Sequence, residues 1–278
     1  MIRSFVLANM AVLALSAAAP AQAVGQFRWQ QGQVLTYQVE HNTRATDIVG
    51  DSKSESKTKL NLTKRWQVLD TDAAGVATLQ LSLLALRLEV GTPSGGILLF
   101  DSGNPDRSDP HLREDLEKFV GEPLAVLRID TRGRVIEVKQ TKQGSASKYE
   151  IEPPFVITLA DEGLKAGQEW ERAYKITLEP PQGTGDKYDA VQKYVCKSVS
   201  DNQATIAFSS TLKSMPESVL DRVPLLQLQP EGEVVFDLQR GRLQSAGLRI
   251  EKDLTGHQGT GSSYKFLSTY TEKYVESK

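Results

Sequence analysis

The sequence predicts a mainly β protein made of tandemly duplicated, strongly curved antiparallel sheets, half-barrel-like, with a few short helices. Three observations carry that expectation. Apolar residues alternate with polar ones over most of the chain, an approximate repeat relates its two halves, and stripes at helical spacing are scarce.

In chain order, the first 23 residues are set apart from the fold. Arg3 supplies a positive start, residues 5–15 are apolar except for Asn9, and Ala21-Gln22-Ala23 is a small-x-small cleavage site. That layout is a secretory signal peptide, and its apolar run is shorter than the roughly 20 residues a membrane span needs. A lipoprotein would need cysteine at the junction, whereas the single cysteine is Cys196. Removing 23 of the 278 residues leaves 255 to fold, with a formal charge of −3 once Arg3 is lost.

Strands follow. Leu35, Tyr37 and Val39 share one face, as do Leu60, Leu62, Trp66 and Val68. Within residues 76–90 the apolar face switches near Leu83-Leu84, which predicts a bulge or a strand buried on both sides. Residues 124–129 and 135–138 flank Thr131-Arg132-Gly133 as a hairpin. Later, Trp170, Tyr174, Ile176 and Leu178 form a face, then Ala204, Ile206, Phe208 and Leu212, then Tyr264, Phe266, Tyr270 and Tyr274. One helix is expected from Asp109-Pro110, an N-cap and a first-turn proline, through Leu112, Leu116 and Phe119 to Gly121. A weaker one covers residues 217–223, between Pro216 and Pro224.

The repeat joins Gly32-Gln33-Val34-Leu35 to Gly167-Gln168-Glu169-Trp170, and Trp66-Gln67-Val68 to Tyr194-Val195-Cys196. It continues with Gly75-Val76-Ala77-Thr78-Leu79 against Asn202-Gln203-Ala204-Thr205-Ile206. The turn Asp130-Thr131-Arg132-Gly133-Arg134-Val135 is set against Leu238-Gln239-Arg240-Gly241-Arg242-Leu243. The first half carries an insertion, chiefly around residues 91–110. The expected organisation is a signal peptide at 1–23, an N-terminal β half at 24–142, a connecting segment at 143–166 and a C-terminal β half at 167–278. Gln143-Gly144-Ser145-Ala146-Ser147 and Pro153-Pro154 interrupt the pattern in the connection. Whether the halves make two domains or one sheet is open at this point.

Composition narrows the function classes. Hydrophobic residues at 39% and charged residues at 24% are near globular averages, which excludes a disordered, collagenous or coiled-coil chain. Lys plus Arg total 33 against 35 Asp plus Glu, with no basic run, so the term that dominates nucleic-acid affinity is missing. Cys196, within Tyr194-Val195-Cys196, reads as a small buried hydrophobe.

Candidate chemistry is thin. His41, His111 and His257 are read as surface or capping residues, because none has a partner at ligand spacing. No nucleophile elbow or phosphate loop occurs, and Gly256, Gly259 and Gly261 precede no helix. Asp101, Asn104, Asp106 and Asp109 offer oxygens for calcium, but their spacing is not that of a calcium loop; the plainer reading is a turn whose Asp109 caps the helix. Trp29, Trp66, Tyr194, Phe208 and Phe236 are placed on strand faces as core, with the lining of an apolar cavity as the alternative. Asn61-Leu62-Thr63 is a sequon in mid-strand and is treated as coincidence. Paired carboxylates for glycoside hydrolysis are available among 35 acids, and nothing singles out two of them.

Several of these segments resemble a family of secreted bacterial proteins of uncharacterised activity. They are Phe27-Arg28-Trp29-Gln30-Gln31-Gly32-Gln33 before a strand with Tyr37, Phe100-Asp101-Ser102, the Asp130-Thr131-Arg132-Gly133 turn, and Leu164-Lys165-Ala166-Gly167-Gln168-Glu169-Trp170. The resemblance runs over residues 27–274 and implies no functional residues. The half-barrel plan is also loosely similar to periplasmic lipoprotein carriers, which hold acyl chains in a concave face, an analogy of fold only.

The expected function is a secreted or periplasmic non-enzymatic binding protein for an apolar ligand or an envelope protein partner. Neither nucleic acid nor a transmembrane segment is expected to be involved. No cofactor, metal site or catalytic residue is expected, and no ligand-binding residue is singled out. The alternative is an envelope-associated structural protein whose concave face is filled by its own side chains.

Overall fold

A computed structural model describes residues 25–92, 95–142, 146–180 and 183–276, apart from the side chains of residues 146, 147, 219 and 220. The leader expected at 1–23 lies outside the described residues. The N-terminal half runs β1 (Val34–Val49), β2 (Ser52–Thr71), β3 (Ala77–Gly91), β4 (Ile97–Asp101), α1 (Pro110–Leu116), β5 (Pro123–Ile129) and β6 (Val135–Thr141). The C-terminal half runs β7 (Glu169–Thr177), β8 (Lys187–Ser200), β9 (Gln203–Leu212), α2 (Val219–Leu226), β10 (Glu231–Asp237), β11 (Arg242–Thr255) and β12 (Ser262–Val275). All join one antiparallel sheet in the order β6-β5-β3-β2-β1-β12-β11-β10-β9-β8-β7, with β4 added to β3. The open question is answered: there is one continuous sheet, whose edges β6 and β7 leave it unclosed.

Each half is a meander laid in the same direction along the sheet, and local details recur. Gly32 and Gly167 both take positive φ, +81° and +80°, a conformation that glycine adopts without the steric cost of a Cβ. Gly32 N donates to Val68 O as Gly167 N donates to Cys196 O, and Val68 N and Cys196 N return bonds to Gln33 O and Gln168 O. The β2–β3 pairing slips between Val68 and Asp70, and the β8–β9 pairing slips between Cys196 and Ser198. The hairpin turns differ from the sequence alignment. Asp130 O accepts from Gly133 N, whereas Asp237 O accepts from Gly241 N. Asp130 therefore corresponds to Asp237 and not to Leu238, and the second turn holds one extra residue. β4 and the caps before α1 fall in the expected insertion, and β12 has no counterpart.

Curvature follows from residues just ahead of β1. Phe27 N donates to Thr131 O in the β5–β6 turn at 2.7 Å, and the next residue, Arg28, donates to Gly241 O in the β10–β11 turn at 2.9 Å. Five strand spacings separate β5 from β11, about 24 Å in a flat sheet. Adjacent residues can hold both turns only if the sheet curls. Both turns need glycine here: a Cβ on Gly133 would lie 2.5 Å from the Phe27 ring, and one on Gly241 would lie 2.7 Å from Arg28 N.

One hydrophobic cluster spans both halves, so they share a core. Its centre is the connecting segment. Phe155, Val156, Ile157 and Leu159 are at most 2% exposed and plug the concave face. A buried irregular backbone must find partners for its polar groups, and long side chains supply them. Arg132 bonds Ala160 O and Asp161 O, Arg172 bonds Glu150 O and Thr158 Oγ1, Trp170 Nε1 donates to Thr158 O, and Tyr194 OH donates to Val156 O.

The helices are short covers. Asp109 caps α1 as expected, its carboxylate accepting from His111 N and Leu112 N, and Gly121 follows at φ +85°. The second helix differs from its expected span. α2 passes through Pro224 to Leu226, and Gln227 N and Leu228 N close the end on Pro224 O and Leu225 O. Proline removes one helical donor, and so short a helix tolerates the loss.

Candidate functional site

The residues singled out in the sequence do not converge. His111 is exposed at the start of α1. His257, expected as a surface or capping residue, is 3% exposed, because the Gly-rich turn after β11 folds it back to within 3.0 Å of Asp47. His41, given the same expectation, is half-buried on the concave face. Around the acidic loop, Asp101 is held by Arg87 at 2.7 Å and Asp109 caps α1; among the described residues no group of three or more His, Cys, Asp and Glu could hold a metal ion. Cys196 is buried and its thiol is pushed up by that burial. Trp66, Tyr194, Phe208 and Phe236 are core residues on strands, whereas Trp29 packs from the coil ahead of β1 and not from a strand.

The arrangement with chemical content lies instead at the middle of the sheet, where β1 separates β2 from β12. Alternation points Tyr37, Val39 and His41 inward from β1, with Leu60, Leu62 and Lys64 from β2 and Phe266, Ser268, Tyr270 and Glu272 from β12. The register sets Val39 opposite both Leu62 and Glu272, and His41 opposite Tyr270. Lys64 reaches diagonally across β1 to Glu272, 2.7 Å away, and the two side chains are 7% and 0% exposed. The other ammonium protons meet Tyr270 OH at 2.9 Å and Pro153 O at 3.2 Å. Tyr270 in turn donates to Glu272 Oε2. Burial, and next the neighbouring Glu272 charge, hold the phenol well above its ordinary range, so it stays a donor. The second carboxylate oxygen, Glu272 Oε1, is buried without a partner.

Beside this cluster is a cavity of about 320 Å³ under the concave face. Val39, Leu60, Leu62, Leu248, Ile250 and Phe266 form its sheet wall, and Ile151, Leu228 and Pro230 cover it from the connecting segment and the end of α2. Lys64, Tyr270, His41 and Ser268 are its polar points, with Lys148 and Glu152 at the rim. His41 Nε2 and Ser268 Oγ are 2.8 Å apart. Desolvation lowers the imidazole pKa, opposed by the charge of Glu152, and favours the neutral ring.

A serine beside a neutral imidazole is the start of a nucleophile–base pair. Among the described residues, Glu152 acts on His41 through its charge and every Lys64 proton already has an acceptor. A broader groove of about 740 Å³ runs along the outer face past Gln38, Glu40, Asn61, Arg87 and Lys273. Its prominent charges are exposed, and Arg87 is engaged by Glu89 and Asp101.

Fold and site define an open, single-sheet antiparallel β protein with a partly apolar cavity on its concave face. No helix among the described residues is long and apolar enough to cross a membrane. No family model matches the chain, and no curated protein does. Among solved structures it is similar to DynF from the dynemicin biosynthesis pathway of Micromonospora chersina, at 9% identity and a TM-score of 0.26, covering 98% of this chain and 94% of that one. A likeness at that score carries no argument.

Proposed function

We propose that this is a non-enzymatic binding protein, acting outside the cytoplasm, that holds a small ligand with an apolar body in the concave face. The observation that carries the reading is the cavity of about 320 Å³, which no side chain among the described residues fills although much of that face is packed. Small-molecule sites are concave, mostly apolar and fitted with a few polar points, at volumes of ~300–1,000 Å³. The leader in residues 1–23 supports export, and the recurring turns and bulges support an origin by duplication of one β unit.

An envelope-associated interaction protein is the second reading. It is favoured by Phe155, Val156, Ile157 and Leu159, which occupy much of the face a ligand would use. Native mass spectrometry of protein purified from its own host separates the two. The binding reading expects a co-purified small molecule that disappears in Leu248→Trp, a variant that fills the cavity, with the thermal midpoint measured alongside to confirm folding. Ligand-free spectra for both proteins would sink it in favour of the second reading.

A further inference from the structure

We propose that the occupant of this cavity is an uncharged, single-chain amphiphile with a hydroxyl or amide end, and that the site rejects fatty carboxylates and cationic amphiphiles. This rests on the binding reading above and deepens it.

Valence and charge decide which head group the cavity accepts. An ammonium has three donors, and those of Lys64 are committed to Pro153 O, Tyr270 OH and Glu272 Oε2. Lys64 has no donor left to greet a carboxylate, although a buried lysine beside an apolar cavity is the feature that would ordinarily attract one. The ion pair also cancels its own charge. A carboxylate brought beside it would be an unmatched buried anion next to Glu272, and a buried charge is tolerated only when paired. A cationic head fares no better, because Glu272 is already neutralised by Lys64 at 2.7 Å. At the rim, Lys148 and Glu152 bring one charge of each sign, and Arg249 is engaged by Glu251.

The hydrogen-bonding capacity that remains suits a neutral donor–acceptor group. Among the lining residues, the His41–Ser268 pair can exchange donor and acceptor roles with a hydroxyl. The volume sets the size: at ~30 Å³ per water-sized group, about ten heavy atoms fit.

Three probes of one chain length test this by calorimetric titration at about pH 8, where decanoate is ionised and a primary amine is protonated: 1-decanol, decanoate and decylammonium. The expected result is that decanol binds the unmodified protein about tenfold or more tightly than either ion, from the cost of desolvating an unmatched charge. Leu248→Trp is expected to abolish decanol binding. In Glu272→Gln, Lys64 loses its counter-charge and the order is expected to move toward decanoate. Should that variant not fold, the three-probe ranking on the unmodified protein stands alone as the test. A charged probe that equals or beats decanol overturns the neutrality inference while leaving the binding reading intact. If none of the three binds, the binding reading itself falls, and this inference with it.

Discussion

The two ends of the concave face are built from the same strands and resolved in opposite ways. At the end where the hairpin turns meet, Phe27 stacks on Trp29 at 5.1 Å and meets Phe236 edge-on at 5.0 Å, and Phe155 meets Trp66 at 5.2 Å. At the other end the inward positions of β1, β2 and β12 carry His41, Lys64, Ser268, Tyr270 and Glu272, beside a cavity. Rings from distant segments close the first end, and at the second paired polar groups are set into an apolar wall beside the cavity. Stability should therefore be concentrated at the packed end and, on the proposed function, selectivity at the hollow one.

The packed end should be the more sensitive of the two to truncation. Phe155→Ala is expected to cost about 3–5 kcal/mol in denaturant unfolding, the usual range for a fully buried ring. A loss below about 1 kcal/mol would show that the plug is not what consolidates the face. Next in size is Lys64→Met, which strands Glu272 as an unpaired buried carboxylate and should cost about 3 kcal/mol. The double variant Lys64→Met/Glu272→Leu should recover most of that loss; no recovery would mean that the pair is structural in its own right and not a matter of charge balance.

The smallest effect concerns His41. Its folded-state pKa lies below the ordinary value because of desolvation, with Glu152 the facing charge that opposes the shift. The unfolded chain thus binds the proton more readily. This contribution to stability is present above the ordinary histidine pKa, about 6.5, and is lost as pH falls through the folded value. His41→Gln should flatten the decline of the melting midpoint between about pH 7 and pH 5. An unchanged slope would remove His41 as its source.

Much of the fold was legible because strands report on themselves locally. The face switch at Leu83-Leu84 is a bulge: Lys64 pairs with Leu83 and Thr63 with Ala85, leaving Leu84 unpaired and 40% exposed. The Asp109-Pro110 cap and the Gly121 stop read equally well. The burial of the connecting segment was not legible, because serines and prolines mark irregular backbone without saying whether it is buried, and its bonding partners Arg132, Arg172 and Tyr194 lie on other elements. The site was illegible for a related reason. Lys64 and Glu272 are 208 residues apart, and His41 and Ser268 are 227 apart. A signal existed nonetheless. Lys64 sits at the inward phase of Leu60, Leu62 and Trp66, and Glu272 at that of Tyr270 and Tyr274, so each strand places a charge where its pattern calls for an apolar residue.

The pairing of β1 with β12 has a consequence for how the protein becomes competent. The cavity straddles a seam between the first strand and the last, so neither half alone contains a site. Local hairpins can assemble as the chain emerges, but the seam waits for β12, and such distant pairings form slowly. On the proposed function, ligand capture would thus report completion: a chain cut short before β12 could keep most of its sheet and bind nothing.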